Sequence, residues 1–209
     1  MLLAVLAPAS NERTCMPKKI AIIDGHPDPN PERFCHALAK AYAEGGGAGG
    51  HEVRSLTLAT LEFPLLRSAA DWEQGTVPSS LKDAQHAIAW ADHLVFIYPL
   101  WLGAMPALLK GFLEQAFRPG FAIKSGARTL RPGLLTGKSA RVVVTMGMPA
   151  FFYRWYFGAH SLKSFERNIL RFAGIGPIRE TLIGSVAGGD EASHRKWLER
   201  IQALGREAR

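Results

Sequence analysis

Leu94-Val95-Phe96-Ile97-Tyr98-Pro99-Leu100-Trp101-Leu102-Gly103 is the stretch that decides the fold. Up to Pro99 it is continuously apolar and of strand length, the pattern of a strand buried on both faces. Pro99 has no N–H for a ladder, so the strand stops there. Beyond it Met105, Leu108, Leu109, Phe112, Leu113 and Ala116 recur at helical spacing, with Pro106 where a first helical turn tolerates proline. The segment reads as buried strand, short loop, helix. In an open α/β sheet ligands bind outside the carboxyl ends of strands. Pro99, Leu100, Trp101, Leu102 and Gly103 lie at such an end.

The same alternation runs outward in both directions. Ile20–Asp24 is a buried strand, followed by a stiff loop, Gly25-His26-Pro27-Asp28-Pro29-Asn30-Pro31-Glu32-Arg33-Phe34-Cys35. Helical spacing resumes at Phe34, Leu38 and Ala41, so the loop ends at a helix N-terminus, where unpaired N–H groups favour an anion. There is no GxGxxG and no P-loop, which argues against a Rossmann dinucleotide site and an NTPase. Gly45-Gly46-Gly47-Ala48-Gly49-Gly50 falls after a helix and before a strand, and reads as a helix stop and connector. His51–Leu58 is the second strand, and Leu61–Ser80 is a loop over the sheet. Leu81, Ala84, Ile88 and Ala91 mark a helix.

Phe117–Lys138 is a long loop, and such loops are usually functional. Ala140–Thr145 is the fourth strand, opening into Thr145-Met146-Gly147-Met148-Pro149. Phe151, Phe152, Tyr153, Trp155, Tyr156 and Phe157 then crowd into one stretch and need a core, a flat ligand or a partner. Leu162, Phe165, Ile169 and Phe172 form a helix face, Ile178–Val186 a fifth strand. Asp190 caps a last helix with Trp197, Leu198, Ile201 and Leu204 on its buried side.

The 209 residues suit one domain, 16–209. Met16-Pro17-Lys18-Lys19 directly precedes the first strand, so residues 1–15 are expected to be a disordered extension from a natural start at Met16. Two cysteines, Cys15 and Cys35, make no disulfide framework. Seven scattered histidines make no HExxH-like pair, and no metal is expected. The net charge of +7 is spread along the chain without a nucleic-acid motif, and it suits either a solvated surface or the attraction of anionic cofactors. No run approaches the roughly 18 apolar residues of a membrane span.

Tyr98-Pro99-Leu100-Trp101, Met105 to Phe112 and Phe117-Arg118-Pro119-Gly120-Phe121-Ala122 resemble, in order and spacing, the flavodoxin-like NAD(P)H:quinone oxidoreductases. That family includes DT-diaphorase, modulator-of-drug-activity enzymes and ancillary subunits of potassium-efflux systems. The resemblance extends over roughly Lys18 to Val186. It implies a three-layer α/β sandwich with a five-stranded parallel sheet in the order 2-1-3-4-5, whose motif loops after strands one, three and four open at one edge. It also implies a cytoplasmic homodimer, with peripheral membrane association open.

By the same resemblance, His26, Arg33, Phe34 and Cys35 form a flavin phosphate site, and Pro99 to Gly103 lie under the ring. Leu102-Gly103 stands where many relatives have Trp-Phe. Thr145, Met146, Gly147 and Met148 resemble a Thr-Thr-Gly-Gly turn whose backbone N–H groups face the flavin, with Met148 in place of glycine. Tyr153 and His160 resemble a catalytic tyrosine and histidine, Tyr156 competing with Tyr153. The cofactor is FMN or FAD. Arg118-Pro119-Gly120, placed to face an adenine, favours FAD. NAD(P)H is the reductant and a quinone the acceptor. Two other readings stay open: a flavin-bound ancillary subunit of a transporter, and a flavodoxin-like electron carrier.

Overall fold

The strands expected from the apolar runs pair side by side and all parallel, in the order β2-β1-β3-β4-β5. The computed structural model describes residues 16–125 and 133–209. The expectation for residues 1–15 lies outside these, as does the middle of the long loop before Lys138. In chain order the elements are β1 (Lys19–Asp24), α1 (Phe34–Ala48), β2 (Glu52–Thr57), α2 (Ala69–Gln74), α3 (Lys82–Trp90), β3 (His93–Pro99) and α4 (Ala107–Ala116). They continue as β4 (Ser139–Thr145), α5 (Ala150–Trp155), α6 (His160–Ser164), β5 (Ile178–Ile183) and α7 (Glu191–Arg206). Pro106 sits just before α4, with extended ψ, instead of in its first turn.

β3 is central and buried at every residue. Its alternate side chains feed two cores. Leu94, Phe96 and Tyr98 join Ala21, Ile23, Val142 and Val144 beneath α3, α4 and the helix after His160. Val95 and Ile97 join Ile20, Ile22 and Val143 beneath α1 and α7. This is the three-layer sandwich. Each fully buried Val, Ile or Phe contributes on the order of 1.5–3 kcal/mol, so β3 alone ties both layers together.

The glycine run is not a helix stop. α1 continues through Gly45, Gly46 and Gly47 to Ala48, and Gly45 and the C-cap Gly49 meet bare backbone of α7. A Cβ on Gly45 would lie 1.9 Å from the Gln202 carbonyl oxygen, and one on Gly205 2.2 Å from that of Tyr42. Glycine is used here for close approach of two helices, which outweighs its poor helix propensity.

Other boundaries shift for local reasons. The Leu61–Ser80 segment contains α2, capped by the Ser68 hydroxyl, which accepts from the Asp71 N–H at 3.0 Å. β5 stops at Ile183, where the chain folds back: Ser185 N–H donates to the Met148 carbonyl at 3.0 Å and Val186 N–H to that of Met146 at 3.1 Å. The helix expected around Leu162–Phe172 is α6 followed by a π-helical turn over Phe165–Arg171. Phe165 from that turn packs edge-on against Phe96, with ring centroids 5.2 Å apart.

Gly45→Ala is expected to force α1 and α7 apart and to lower stability by about 1–3 kcal/mol in urea or thermal unfolding. Gly47→Ala meets nothing within 4 Å and is expected to raise stability by about 0.5–1 kcal/mol. Equal effects at the two positions would argue against the close-packed seam.

Candidate functional site

The parallel register brings the carboxyl ends of β1, β3 and β4 level. Asp24 pairs with Ile97, and Pro99 with Thr145. Leu100 N–H extends the pairing by donating to the Thr145 carbonyl at 2.7 Å. Above these ends lies an open cavity of about 410 Å³. It brings together His26, Arg33, Phe34 and Cys35 from the first loop, Pro99, Leu100 and Trp101 after β3, and Thr145, Met146 and Gly147 after β4.

One end of the cavity is the N-terminus of α1. Arg33 is its N-cap residue without a side-chain cap bond, and the first turn carries no acidic residue. The Phe34 and Cys35 N–H groups have no acceptor among the described residues. Such a helix end holds free donors and a positive partial charge. The Cys35 thiol is buried beside the Thr145 hydroxyl, Sγ to Oγ1 3.3 Å. Burial pushes it up to about 12, so it packs and does not attack.

Beneath this end Asp24 is a buried carboxylate at the tip of β1. Its Oδ1 accepts from His26 N–H at 3.2 Å and its Oδ2 contacts His36 Nδ1. His36 Nε2 lies 2.8 Å from the Asp28 carbonyl oxygen, and Asp28 N–H donates to His26 Nδ1 at 3.1 Å. Arg33 Nε donates to Asp28 Oδ2 at 2.7 Å. Burial, and then the neighbouring His36, hold the His26 imidazole below its ordinary value. Burial works against a charged His36, but the Asp24 carboxylate and the Asp28 carbonyl outweigh it and raise its pKa.

The other end is built by Trp101 and the loop after β4. Trp101 and Ala104 exchange N–H···O bonds of 2.9 and 3.0 Å around a two-residue turn, Leu102 and Gly103, both with positive φ. That is the backbone of a type I′ turn. Trp101 stands half exposed, its ring 5.8 Å edge-on from His26. The Gly147 and Met148 N–H groups have no acceptor among the described residues.

Some expected residues stand apart from the cavity. Leu102 and Gly103 form the outer tip of the turn, and Met148 is drawn away by its carbonyl bond to Ser185. Tyr153 is only 2% exposed. Its hydroxyl lies 2.7 Å from Ser161 Oγ and accepts from Leu162 N–H at 3.4 Å. The structure therefore places Tyr153 in the core behind α6, while His160 is exposed at the start of α6 and Tyr156 is exposed at the C-terminal end of α5. Arg118 does not face a ligand either. It is buried and donates to the Asp71 carbonyl and to Gln115, tying α2 to the end of α4.

Sequence reading missed Glu32, Val186 and Ala187, which also line the cavity. Val186 and Ala187 arrive because the chain after β5 folds back over Met146, for which the sequence carries no local signal. Among the described residues no group of His, Cys, Asp and Glu is arranged to hold a metal ion, and no helix is long and apolar enough to cross a membrane.

Leu102 is fully exposed with φ of +47°. That conformation costs an L-residue about 1–2 kcal/mol, with no packing in return. Leu102→Gly is expected to stabilise the fold by about 0.5–1 kcal/mol in urea unfolding. A loss of stability would show that the turn is not strained.

Comparison with known proteins agrees with this geometry. The Flavodoxin_2 family, described by its flavodoxin-like fold, matches residues 18–204. A ribosyldihydronicotinamide dehydrogenase-like protein of Penicillium crustosum is 28% identical over 155 residues, covering 62% of this chain. The chain spans 57% of that relative's length. An uncharacterized NAD(P)H oxidoreductase of Haemophilus influenzae is 26% identical over 182 residues, 85% of this chain and 89% of that protein. Among solved structures, an NAD(P)H:quinone oxidoreductase from Methanothermobacter marburgensis has a TM-score of 0.75 over 91% of this chain and 96% of its own, at 23% identity, a likeness of fold. With the 2-1-3-4-5 sheet and a family match running from residue 18 to 204, the chain belongs to the Flavodoxin_2 family of flavodoxin-like proteins.

Proposed function

We propose that the protein is a flavin-dependent NAD(P)H:quinone oxidoreductase. The observation that carries this reading is a single cavity with free N–H groups at both ends. At one end stand the Phe34 and Cys35 amides of an uncapped helix, at the other that of Gly147, with Trp101 beside it. The first end suits a phosphate. The second suits the electron-rich edge of a flat heterocycle that gains negative charge on reduction, as an oxyanion-type donor. The donor set therefore fits a flavin phosphate and ring, and the phosphate contacts are common to FMN and FAD.

A bound flavin supplies hydride acceptance from NAD(P)H and two-electron delivery to the acceptor. The chain's own residues bind and orient. The α1 amides and His26 hold the phosphate, the loop after β3 supports the ring, and the Gly147 amide stabilises the charge. His160, exposed at the start of α6, is the proton donor to the acceptor oxygen, a role typically worth about 10²–10⁴ in rate. Tyr153 serves it indirectly, its hydroxyl fixing Ser161 and Leu162 just after His160.

The second surface is aromatic. Phe151, Phe152, Trp155, Tyr156 and Phe157 are exposed around α5, with Phe152 and Tyr156 stacked 4.9 Å apart. So much apolar area in one place fits a second copy of the chain, as a two-fold dimer.

Purified protein is expected to show a flavin spectrum that NAD(P)H bleaches and a soluble quinone restores, and heat-released flavin identifies FMN or FAD. A colourless protein that takes up neither flavin would remove this function. His160→Gln is expected to keep the flavin and slow quinone turnover; unchanged kinetics would take His160 out of the site. Trp155→Lys is expected to shift a dimer to monomer in sedimentation while circular dichroism stays native, and an unchanged mass would move the interface elsewhere.

A further inference from the structure

Asp24, His26, Asp28 and His36 form one hydrogen-bonded set beneath the anion end of the cavity, and their protons can be placed from the acceptors. His36 Nε2 faces a carbonyl oxygen, which only accepts, so Nε2 carries a hydrogen. His36 Nδ1 faces Asp24 Oδ2. A bare Nδ1 would set a lone pair against a carboxylate lone pair, so a bond there requires one proton between the two. Whether that proton is drawn on the imidazole or on the carboxyl, the pair is neutral. His26 is placed as firmly. Asp28 N–H donates to its Nδ1, so its own hydrogen is on Nε2. Nε2 has no partner among the described residues, and His26 lines the cavity.

We propose that Asp24 and His36 are a positioning pair for the anion site: their shared proton keeps the floor of the loop neutral and holds His26 as an Nε2–H donor toward the bound phosphate. The proposal deepens the flavin reading and rests on it. Loss of the shared proton leaves one uncompensated negative charge under the phosphate. The groups that face His36 are Asp24 from β1, and His26 and Asp28 from the loop. Arg33 reaches it only through Asp28, and Cys35 of α1 neighbours Asp24 as a neutral thiol. The His36 pKa is raised above 6.5. Its contribution is therefore complete below that ordinary value and is lost as the pH rises through the raised one. His26 is shifted the other way and stays neutral throughout that range.

Protein freed of flavin is titrated with FMN and with FAD, following quenching of flavin fluorescence. The window opens at about pH 7, above the second ionisation of the FMN phosphate monoester near pH 6, and runs upward until the His36 transition is complete; the FAD pyrophosphate is fully ionised throughout. Wild-type affinity is expected to fall about five- to tenfold across it, with no such fall for riboflavin, which lacks the phosphate. Asp24→Asn keeps every bond, Oδ1 accepting from His26 N–H and Nδ2 donating to His36 Nδ1, and has no proton to lose. Its affinity is expected to stay flat across the window. His36→Gln leaves Asp24 charged and is expected to bind weakly throughout. Circular dichroism checks that each variant is folded. A wild-type affinity that does not change with pH, or an Asp24→Asn profile that falls as the wild type does, overturns the pair while leaving the flavin reading standing. Uptake of neither flavin at any pH overturns both.

Discussion

The parallel pairing of β3 with β1 and β4 is the constraint on which the site depends. Parallel strands end on the same side, and the register sets Asp24, Pro99 and Thr145 at one level. The loops that follow then have no choice of edge. The pairing is fixed by burial: β3 has no exposed face, so a slip by one residue would exchange the two cores. Gly25 shows how tightly the first loop is set on this frame. Its N–H donates to the Ile97 carbonyl at 2.8 Å, and a Cβ there would come within 2.9 Å of Leu109.

The cavity recruits backbone where other sites recruit side chains. Its basic side chains do not dominate: Arg33 is paired with Asp28, and Lys18 points to the opposite pole, where it donates to the Ala208 carbonyl. On the reading proposed above, anion recognition falls to amide groups whose positions the sheet and α1 dictate. Such donors need no reorganisation on binding, which is the physical advantage of a preorganised polar site. The carboxyl placed deep in this region, Asp24, is tolerated because His36 shares a proton with it and the His26 N–H donates to it.

Much of this was legible in the chain. Leu94–Pro99 announced a central strand, and the loop from Gly25 to Cys35 announced a helix start, which the structure sets at the edge of the cavity. Both readings rest on local signals, apolar run length and helix-start chemistry. The failures are where distance along the chain matters. Gly45–Gly47 looked like a helix end because glycine is a poor helix former, and only α7, far along the chain, reveals the reason for Gly45. Arg118 looked like a ligand residue because it sits in a motif, yet it is consumed by Asp71 and Gln115. Tyr153 was placed at the site by resemblance, and the turn of α5 faces its ring into the core. Val186 and Ala187 belong to a return of the chain that no periodicity foretells.

The glycine seam between α1 and α7 has a mechanical meaning. α1 has 15 residues, a rod about 22 Å long. Its far half is clamped backbone to backbone against α7, with no side chain between to act as a cushion. Its near end carries the free Phe34 and Cys35 amides that line the cavity. A tilt of about 5° at the clamp would swing those amides by about 2 Å, more than a hydrogen bond can follow. The stiffness of a contact remote from the cavity thus sets how precisely those amides are held for any anion that the proposed site receives. A change in the last helix would be felt as a loss of aim at the opposite end of the rod.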